Sequence, residues 1–231
     1  MGDSVDFFHS YHYLRHNARR LEHLASLKID VAGRSVLELG AGIGDHSHYY
    51  KDRGCDITIT DARVENIDLL RKRFPHNRVV QLDLDDQPSL DAAQYDVTHC
   101  YGLLYHLSKP REALEFIGKV TKGVLFLETC VSFGDGMSIN IVNESQLDPT
   151  QAYHGRGCRP TRSWVYNTLK ELFEFVYMPV TQPNHEEFPL DWNARARHTE
   201  GLQRAVFIAA RYPLESEDLR QQLLVIQKRH A

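Results

Sequence analysis

Short apolar runs alternate with amphipathic segments through the first half of the chain. SVLELG, CDITITD and NRVVQLDL are apolar runs of strand length, and the segment ARVENIDLLRKRF places apolar residues at helical spacing. YDVTHCYGLL and KGVLFLETC continue the series as a fourth and a fifth strand, with a helix from about Pro110 between them. This alternation predicts a parallel sheet with helices on both faces.

Other patterns flank this alternation. Leucines recur on one helical face up to about Leu27, and this pattern predicts that residues 1–30 form a helical lid. Residues 131–160 and 181–200 are irregular, and loops of such length are usually functional. FEFVYMPV and QRAVFIAARY predict a sixth and a seventh strand. SEDLRQQLLVIQKRH predicts a closing helix with Ser216 as its N-cap.

Composition narrows the class of protein. The 231 residues suit a single domain over 1–231, and the net charge of -4 disfavours nucleic acid as a main partner. No apolar run approaches the roughly 20 residues that a membrane helix needs, so no membrane partner is expected. Four cysteines without a CxxC pair indicate reduced thiols and a cytoplasmic protein.

The loop after the first strand, VLELGAGIGDH, carries three alternate glycines. Gly40, Gly42 and Gly44 fit neither the GxxxxGK[ST] phosphate loop nor the GxGxxG dinucleotide motif. Glu38 ends the strand, where its carboxylate can accept hydrogen bonds from an ammonium group but would repel a pyrophosphate. This pattern resembles the first motif of class I S-adenosylmethionine-dependent methyltransferases.

Later strand ends extend the resemblance. The second strand ends at Asp61, followed by Ala62, where an acidic residue can hold both ribose hydroxyls. The resemblance implies contacts to adenine from Asp83 and Leu84, and a border to the methionine and the transferred methyl group around Cys100, Tyr101 and Gly102.

The resemblance also implies a fold and a cofactor. The fold is an α/β Rossmann-like sheet of seven strands, with the last strand antiparallel between the fifth and sixth and an insertion between strands 5 and 6. The cofactor is S-adenosyl-L-methionine, and its product is S-adenosyl-L-homocysteine.

The acceptor chemistry suggests three catalytic candidates. Transfer to a hydroxyl benefits from a base that removes the proton. His106 follows the fourth strand, Glu128 ends the fifth and His154 lies in the 131–160 segment. His106 could instead cap or pack beside the next helix, and Glu128 could be a buried structural carboxylate.

Polar and aromatic residues mark the expected acceptor site. The candidate substrate-binding residues are Tyr153, Arg156, Arg159, Trp164 and His185. The arginines could bind a carboxylate or phosphate, or form a solvated basic loop. In the lid, Tyr11, Tyr13 or Arg15 is expected to touch the carboxylate of the cofactor, with simple docking of the helix as the alternative.

No histidine spacing matches a metal-binding motif, so no metal is expected. A set made of His154, His185 and Glu186 has no support from its spacing.

These features predict a methyltransferase that acts on an oxygen of a small-molecule acceptor, with nitrogen as the alternative. Transfer to RNA is a second hypothesis, because YGLLYHL resembles a stretch in methyltransferase-fold enzymes that modify the tRNA wobble uridine. A non-catalytic cofactor-binding protein and a nicotinamide-dependent oxidoreductase are further alternatives. The tail helix is suited to packing on its own domain or on a second copy in a homodimer.

Overall fold

The computed structural model of the protein describes residues 4–86, 88–90, 94–146, 148, 150–193 and 201–230. Its α-helices are α1 (Ser4–Phe8), α2 (Tyr11–Ser26), α3 (Ser47–Lys51), α4 (Val64–Arg73), α5 (Pro110–Val120) and α6 (Arg162–Leu172), and a 3-10 turn spans Leu104–His106. Its strands are β1 (Ser35–Glu38), β2 (Asp56–Asp61), β3 (Arg78–Gln81), β4 (Tyr95–Tyr101), β5 (Thr121–Cys130), β6 (Ile141–Asn143), β7 (Arg156–Cys158), β8 (Phe175–Pro179), β9 (Thr181–Gln182), β10 (Arg204–Ala210), β11 (Leu219–Arg220) and β12 (Lys228–Arg229).

A central sheet runs in the order β11-β8-β10-β5-β4-β1-β2-β3. The predicted parallel core is confirmed, because β1 pairs in parallel with β2 and β4, and β4 pairs in parallel with β5. β10 lies antiparallel between β5 and β8, as expected for the last predicted strand. β11 pairs with β8, so the sheet has eight strands instead of the predicted seven.

Two apolar cores lie on opposite faces of this sheet. Leu114 of α5 and Leu169 of α6 belong to one core, and Leu24 of α2 and Leu70 of α4 belong to the other. Neighbouring residues of β1 divide between the cores, because side chains alternate along a strand. Helices therefore cover both faces, as predicted.

The predicted C-terminal helix is wrong. Residues 216–230 form turns and the short strands β11 and β12. The buried amide of Gln227 explains this: its Oε1 accepts hydrogen bonds from Gln182 Nε2 at 2.9 Å and Trp192 Nε1 at 3.0 Å, and its Nε2 donates to the Pro179 carbonyl at 2.7 Å. These long-range contacts override the local helical preference of the segment.

The segment 131–160 is more ordered than its sequence indicates. β6 and β7 form an antiparallel hairpin that pairs Ile141 with Cys158. The Cys158 thiol donates to the carbonyl of Leu104 at 3.4 Å, which holds the hairpin on the 3-10 turn. Of the second irregular segment, residues 194–200 lie outside the described residues. Within the described chain, no helix is long and apolar enough to cross a membrane.

Candidate active site

A cleft opens where the parallel strands end, and its empty space, including solvent at its open mouth, is about 1180 Å³. Ligands of open parallel sheets bind at the carboxyl ends of the strands, outside the sheet. The loops after β1 to β4 form its floor, the N-terminal helices form one wall, and the segment after β6 forms another. The predicted site residues that line it are Tyr13, Glu38, Gly40, Gly42, Asp61, Ala62, Asp83, Leu84, Tyr101, Gly102, His106, Tyr153 and His154.

The glycine loop has two different functions in the structure. Gly40 and Gly42 line the cavity with φ values of 63° and 56°, a conformation that favours glycine. A Cβ on Gly42 would lie 3.0 Å from the ring of Phe8, so α1 packs directly on the loop. Gly44 is outside the lining, and a Cβ there would lie 2.5 Å from Phe74. Gly44 therefore allows the loop to pack on α4.

Asp61 ties the end of β2 to the glycine loop. Its Oδ2 accepts a hydrogen bond from Gly42 N at 2.8 Å, and its Oδ1 accepts from Arg63 N at 2.9 Å and from Asn66 Nδ2 at 3.1 Å. Burial raises the pKa of Asp61, and these hydrogen bonds oppose the rise. The carboxylate is thus held in a fixed orientation at the cavity.

Glu38 is a second buried carboxyl group, at the end of β1. Its side chain is 2% exposed and accepts a hydrogen bond from the Ser47 hydroxyl at 2.5 Å. Burial raises the pKa of Glu38 to about 7, and the bond from Ser47 opposes the rise. A cation placed beside this group would favour its ionised form.

The inserted segment covers the end of β3. His154 Nε2 lies 2.6 Å from Asp83 Oδ2, and the guanidinium of Arg63 lies 5.4 Å from the ring centre of Tyr153. Arg63 also donates to the backbone carbonyl of Gln151 at 3.0 Å. His154 therefore lies beside Asp83, which is expected to contact the cofactor, and Tyr153 lies beside Arg63, although the sequence suggested acceptor chemistry for both.

His106 and Glu144 form a second contact between the inserted segment and the loops after the sheet strands, apart from the contact of His154 with Asp83. His106 Nδ1 lies 2.5 Å from Glu144 Oε2, and Glu144 also accepts from Arg159 Nη2 at 2.9 Å and Ala152 N at 2.8 Å. Burial opposes ionisation of Glu144, but these partners lower its pKa to about 2. Burial lowers the pKa of His106, and Glu144 opposes that change. The arrangement leaves Nε2 as the polar atom of His106 that can act on a ligand.

Glu128 lies behind the cavity wall and not in its lining. It is fully buried, with Oε2 at 2.5 Å from Arg20 Nη2 and Oε1 at 3.2 Å from Arg204 Nη1. Arg204 also donates to the Tyr105 hydroxyl at 3.1 Å. Both arginines line the cavity, so Glu128 positions them and its two oxygens are engaged in ion pairs.

A chain of hydrogen bonds crosses the cavity floor. Tyr50 OH lies 2.9 Å from His99 Nδ1, His99 Nε2 lies 3.1 Å from His46 Nδ1, and His46 Nε2 lies 3.2 Å from Asn17 Oδ1. Because the Asn17 oxygen can only accept, each imidazole donates through Nε2 and accepts at Nδ1. Burial lowers the pKa of His99 to about 3, which keeps this chain neutral.

The remaining predicted residues do not line the cavity. Tyr11 is 83% exposed, whereas Tyr13, the second tyrosine expected in the lid, lines the cavity. The thiol of Cys100 is buried, and burial raises its pKa to about 12. The predicted site residues outside the lining are Tyr11, Arg15, Gly44, Cys100, Glu128, Arg156, Arg159, Trp164 and His185.

Several cavity residues were missed by the sequence analysis: Phe8, Asn17, Arg20, His46, His99 and Arg204. Asn17 and Arg20 lie one helical turn apart on α2, a spacing that could have marked a polar helix face. Arg204 lies 74 positions after Cys130, and no motif near it in the sequence marks it as a cavity residue. Glu144, the partner of His106, was also missed because it lies in the unassigned segment.

Comparison with known proteins identifies similar sequences. The model of a family described as "Methyltransferase domain" matches residues 9–175. A ubiquinone biosynthesis O-methyltransferase of Erwinia tasmaniensis is 29% identical over 121 residues, which cover 50% of each chain. A tRNA U34 carboxymethyltransferase of Vibrio vulnificus is 25% identical over 214 residues, which cover 83% of this chain and 64% of that protein. The chain thus spans half to about two thirds of the length of these curated relatives.

Solved structures share the fold. The N-terminal domain of EvdMO1, crystallised in the presence of S-adenosylhomocysteine and D-fucose, has a TM-score of 0.60 and 18% identity, with 87% of this chain and 84% of that chain covered. An S-adenosylmethionine-dependent methyltransferase from Mesorhizobium loti also has a TM-score of 0.60, with 16% identity and coverage of 85% and 100%.

Proposed function

Since the chain belongs to the methyltransferase-domain family of class I S-adenosylmethionine-dependent methyltransferases, we propose that it methylates an oxygen atom of a small-molecule acceptor. The observation that carries this proposal is His106, which lines the cavity and is hydrogen-bonded to the ionised Glu144. A base oriented by a carboxylate suits a hydroxyl acceptor, which must lose a proton. An unprotonated amine is the alternative acceptor, since it needs no such base.

The cavity residues fit the cofactor. Glu38 offers a carboxyl group to the ammonium, and Asp61 beside Ala62 offers hydrogen-bond acceptors to the ribose hydroxyls. Asp83 and Leu84 suit the adenine ring, and the open backbone at Gly40 and Gly42 admits a ligand without side chains in the way. Polar donors for the cofactor carboxylate come from the lid residues Tyr13, Asn17 and Arg20. When bound, the cofactor supplies a methyl group activated by its sulfonium charge.

In the proposed mechanism, the protein aligns the acceptor and removes one proton. His106 Nε2 would accept the proton of the acceptor hydroxyl as the hydroxyl oxygen takes the methyl group that the cofactor would supply. The Nδ1–H of His106 stays hydrogen-bonded to Glu144, which stabilises the protonated ring. The proton then passes from His106 to solvent.

The proposal also covers the domain organisation of the chain and its location in the cell. We treat residues 1–231 as one methyltransferase domain, in which α1 and α2 form the lid and the part of the inserted segment that lines the cavity, including Thr150, Tyr153 and His154, borders the acceptor. All four cysteines are unpaired, which supports a cytoplasmic location.

Cofactor binding is tested by calorimetric titration with S-adenosylmethionine and with NAD. We expect the protein to bind S-adenosylmethionine and not NAD. The Asp61→Asn variant should bind S-adenosylmethionine roughly 10–100-fold more weakly, because it loses one hydrogen bond to a charged group. Asp68→Asn on the exposed face of α4 is the matched control. Equal affinities of the two variants would contradict the role of Asp61.

The acceptor class is tested with cofactor that carries a labelled methyl group. The wild-type protein and His106→Ala are incubated with separate small-molecule and RNA fractions of a cell extract. We expect label in a small-molecule product with the wild-type protein and little with His106→Ala. Label in neither fraction would favour a non-catalytic cofactor-binding protein.

A tRNA acceptor is the second candidate, favoured by the similarity to the tRNA U34 carboxymethyltransferase over 214 residues. Label in the tRNA fraction, with binding that weakens steeply as salt is raised, would replace the small-molecule proposal by this one.

A further inference from the structure

Two histidines of the lid face a glutamate of the turn after β9. His12 and His16 lie four residues apart on α2, which places both side chains on one helix face. His12 Nε2 lies 3.5 Å from Glu187 Oε1, and His16 Nε2 lies 3.8 Å from Glu187 Oε2. The three potential ligand atoms all lie within 4.8 Å of one another, and none of these residues lines the cavity.

These separations are close to those of a metal coordination sphere. Tetrahedral zinc with bonds of about 2.0–2.2 Å to nitrogen and oxygen places neighbouring ligand atoms roughly 3.4 Å apart. Both measured separations exceed that value by less than half an ångström. The His12 side chain is 54% exposed, so its ring can adjust its position around an ion.

The buried histidine points independently to a ligand. The side chain of His16 is only 2% exposed, yet its Nε2 has no hydrogen-bond partner among the described residues. A buried polar atom without a partner costs free energy, and such atoms are rare in native proteins. This nitrogen faces Glu187 across a gap suited to an ion.

Neighbouring residues hold the glutamate in place. Arg204 Nε donates to Glu187 Oε2 at 2.5 Å, which leaves Oε1 beside His12. The ring of His185 lies 4.7 Å from that of His16 and closes one side of the cluster. Such outer contacts orient metal ligands and support their affinity.

We propose that His12, His16 and Glu187 bind one divalent transition-metal ion, with Zn²⁺ as the best match. Two imidazoles and a carboxylate are ligands typical of zinc, and a three-ligand site leaves a fourth position for water. The ion fastens α2 to the turn that contains Glu187. Because α2 also supplies Asn17 and Arg20 to the cavity, the metal holds the lid in place.

The test uses the full chain after removal of bound metals with a chelator. Zn²⁺ is titrated by calorimetry, and Co²⁺ is followed by visible absorption, which reports tetrahedral coordination. We expect one ion per chain and a higher melting temperature with Zn²⁺. His12→Ala changes an exposed side chain and should abolish both effects, whereas His76→Ala, an exposed histidine on another surface, should keep both.

A second variant tests the carboxylate. Glu187→Gln keeps the size of the side chain and should weaken Zn²⁺ binding at least tenfold. Equal Zn²⁺ affinity of the wild-type protein and His12→Ala would overturn the proposal. A Co²⁺ spectrum dominated by thiolate absorption and unchanged in His12→Ala would place the ion at a cysteine and would also overturn it.

Discussion

His106 Nδ1 lies 2.5 Å from Glu144 Oε2, although the two residues are separated by 38 positions in the chain. The first residue follows β4 of the central sheet, and the second follows β6 of the inserted hairpin. The insertion therefore contributes the carboxylate that orients the proposed base, in addition to covering the cavity.

Removal of the proposed base should affect turnover more than binding. We expect His106→Ala to lower kcat for a hydroxyl acceptor by about 10²–10⁴-fold, the usual contribution of general base catalysis, with little change in KM. Steady-state kinetics at saturating cofactor measures both constants. An unchanged kcat would remove His106 from the mechanism.

The role of Glu144 should be visible in the pH dependence of kcat. Because Glu144 favours the protonated form of His106, Glu144→Gln should lower the pKa of His106. The rise of kcat with pH should then move to lower pH, together with a smaller kcat at its plateau. A merely structural glutamate would leave the position of this rise unchanged.

Glu38 should make stability depend on pH. Burial raises the pKa of Glu38 in the folded protein to about 7, against about 4.3 in an unfolded chain. The folded state thus binds the proton more tightly, and the free energy of unfolding should fall as pH rises from about 4 to about 7. Urea unfolding at several pH values should show this slope in the wild-type protein and a flatter one in Glu38→Gln. Parallel slopes would contradict the raised pKa.

Substitutions at Gly44 and Gly33 can distinguish the cost of overpacking from the cost of a left-handed backbone conformation. Both have positive φ values, 82° and 68°, but a Cβ on Gly44 would lie 2.5 Å from Phe74, whereas a Cβ on Gly33 would meet no atom of the described residues within 4 Å. Gly33→Ala should cost about 1–2 kcal/mol of stability for the left-handed conformation. Gly44→Ala should cost about 1–3 kcal/mol more for overpacking. Equal losses in chemical denaturation would show that α4 yields to the added methyl group.

Glu128 should contribute to the stability of the fold because its carboxylate forms ion pairs with two buried arginines. Removal of one partner from a buried ion pair typically costs about 3–5 kcal/mol, so Glu128→Ala should lower the free energy of unfolding by that amount. Glu171→Ala, which breaks the exposed pair with Arg111, is the control and should have little effect. Similar unfolding midpoints for the two variants would mean that water reaches Arg20 and Arg204.

The sheet and several strand-end residues that line the cavity were predictable because their signals are local. The first two strands each end in an acidic residue that directly follows an apolar run, Glu38 and Asp61. The family resemblance added the position of β10 between β5 and β8, which apolar periodicity does not determine.

The rest depends on contacts between distant segments. The tail resembled a helix because its leucines recur at helical spacing, but Gln227 is fixed by Gln182 and Trp192, which lie earlier in the chain. The pairing of His106 with Glu144 likewise needs the hairpin to fold back on the 3-10 turn. The i, i+4 spacing of His12 and His16 was visible in the sequence, but its third member, Glu187, was not.

The placement of β10 has a consequence for protein synthesis. Arg204 lies at the start of β10, and its partners Glu128 and Tyr105 precede it by 76 and 99 residues. A ribosome delivers β1 to β5 long before this strand, so the nascent chain carries an open sheet edge at β5 while translation continues. The cavity wall closes only after residue 204 has emerged, and a chain stalled earlier presents an unfinished edge that other nascent chains can pair with.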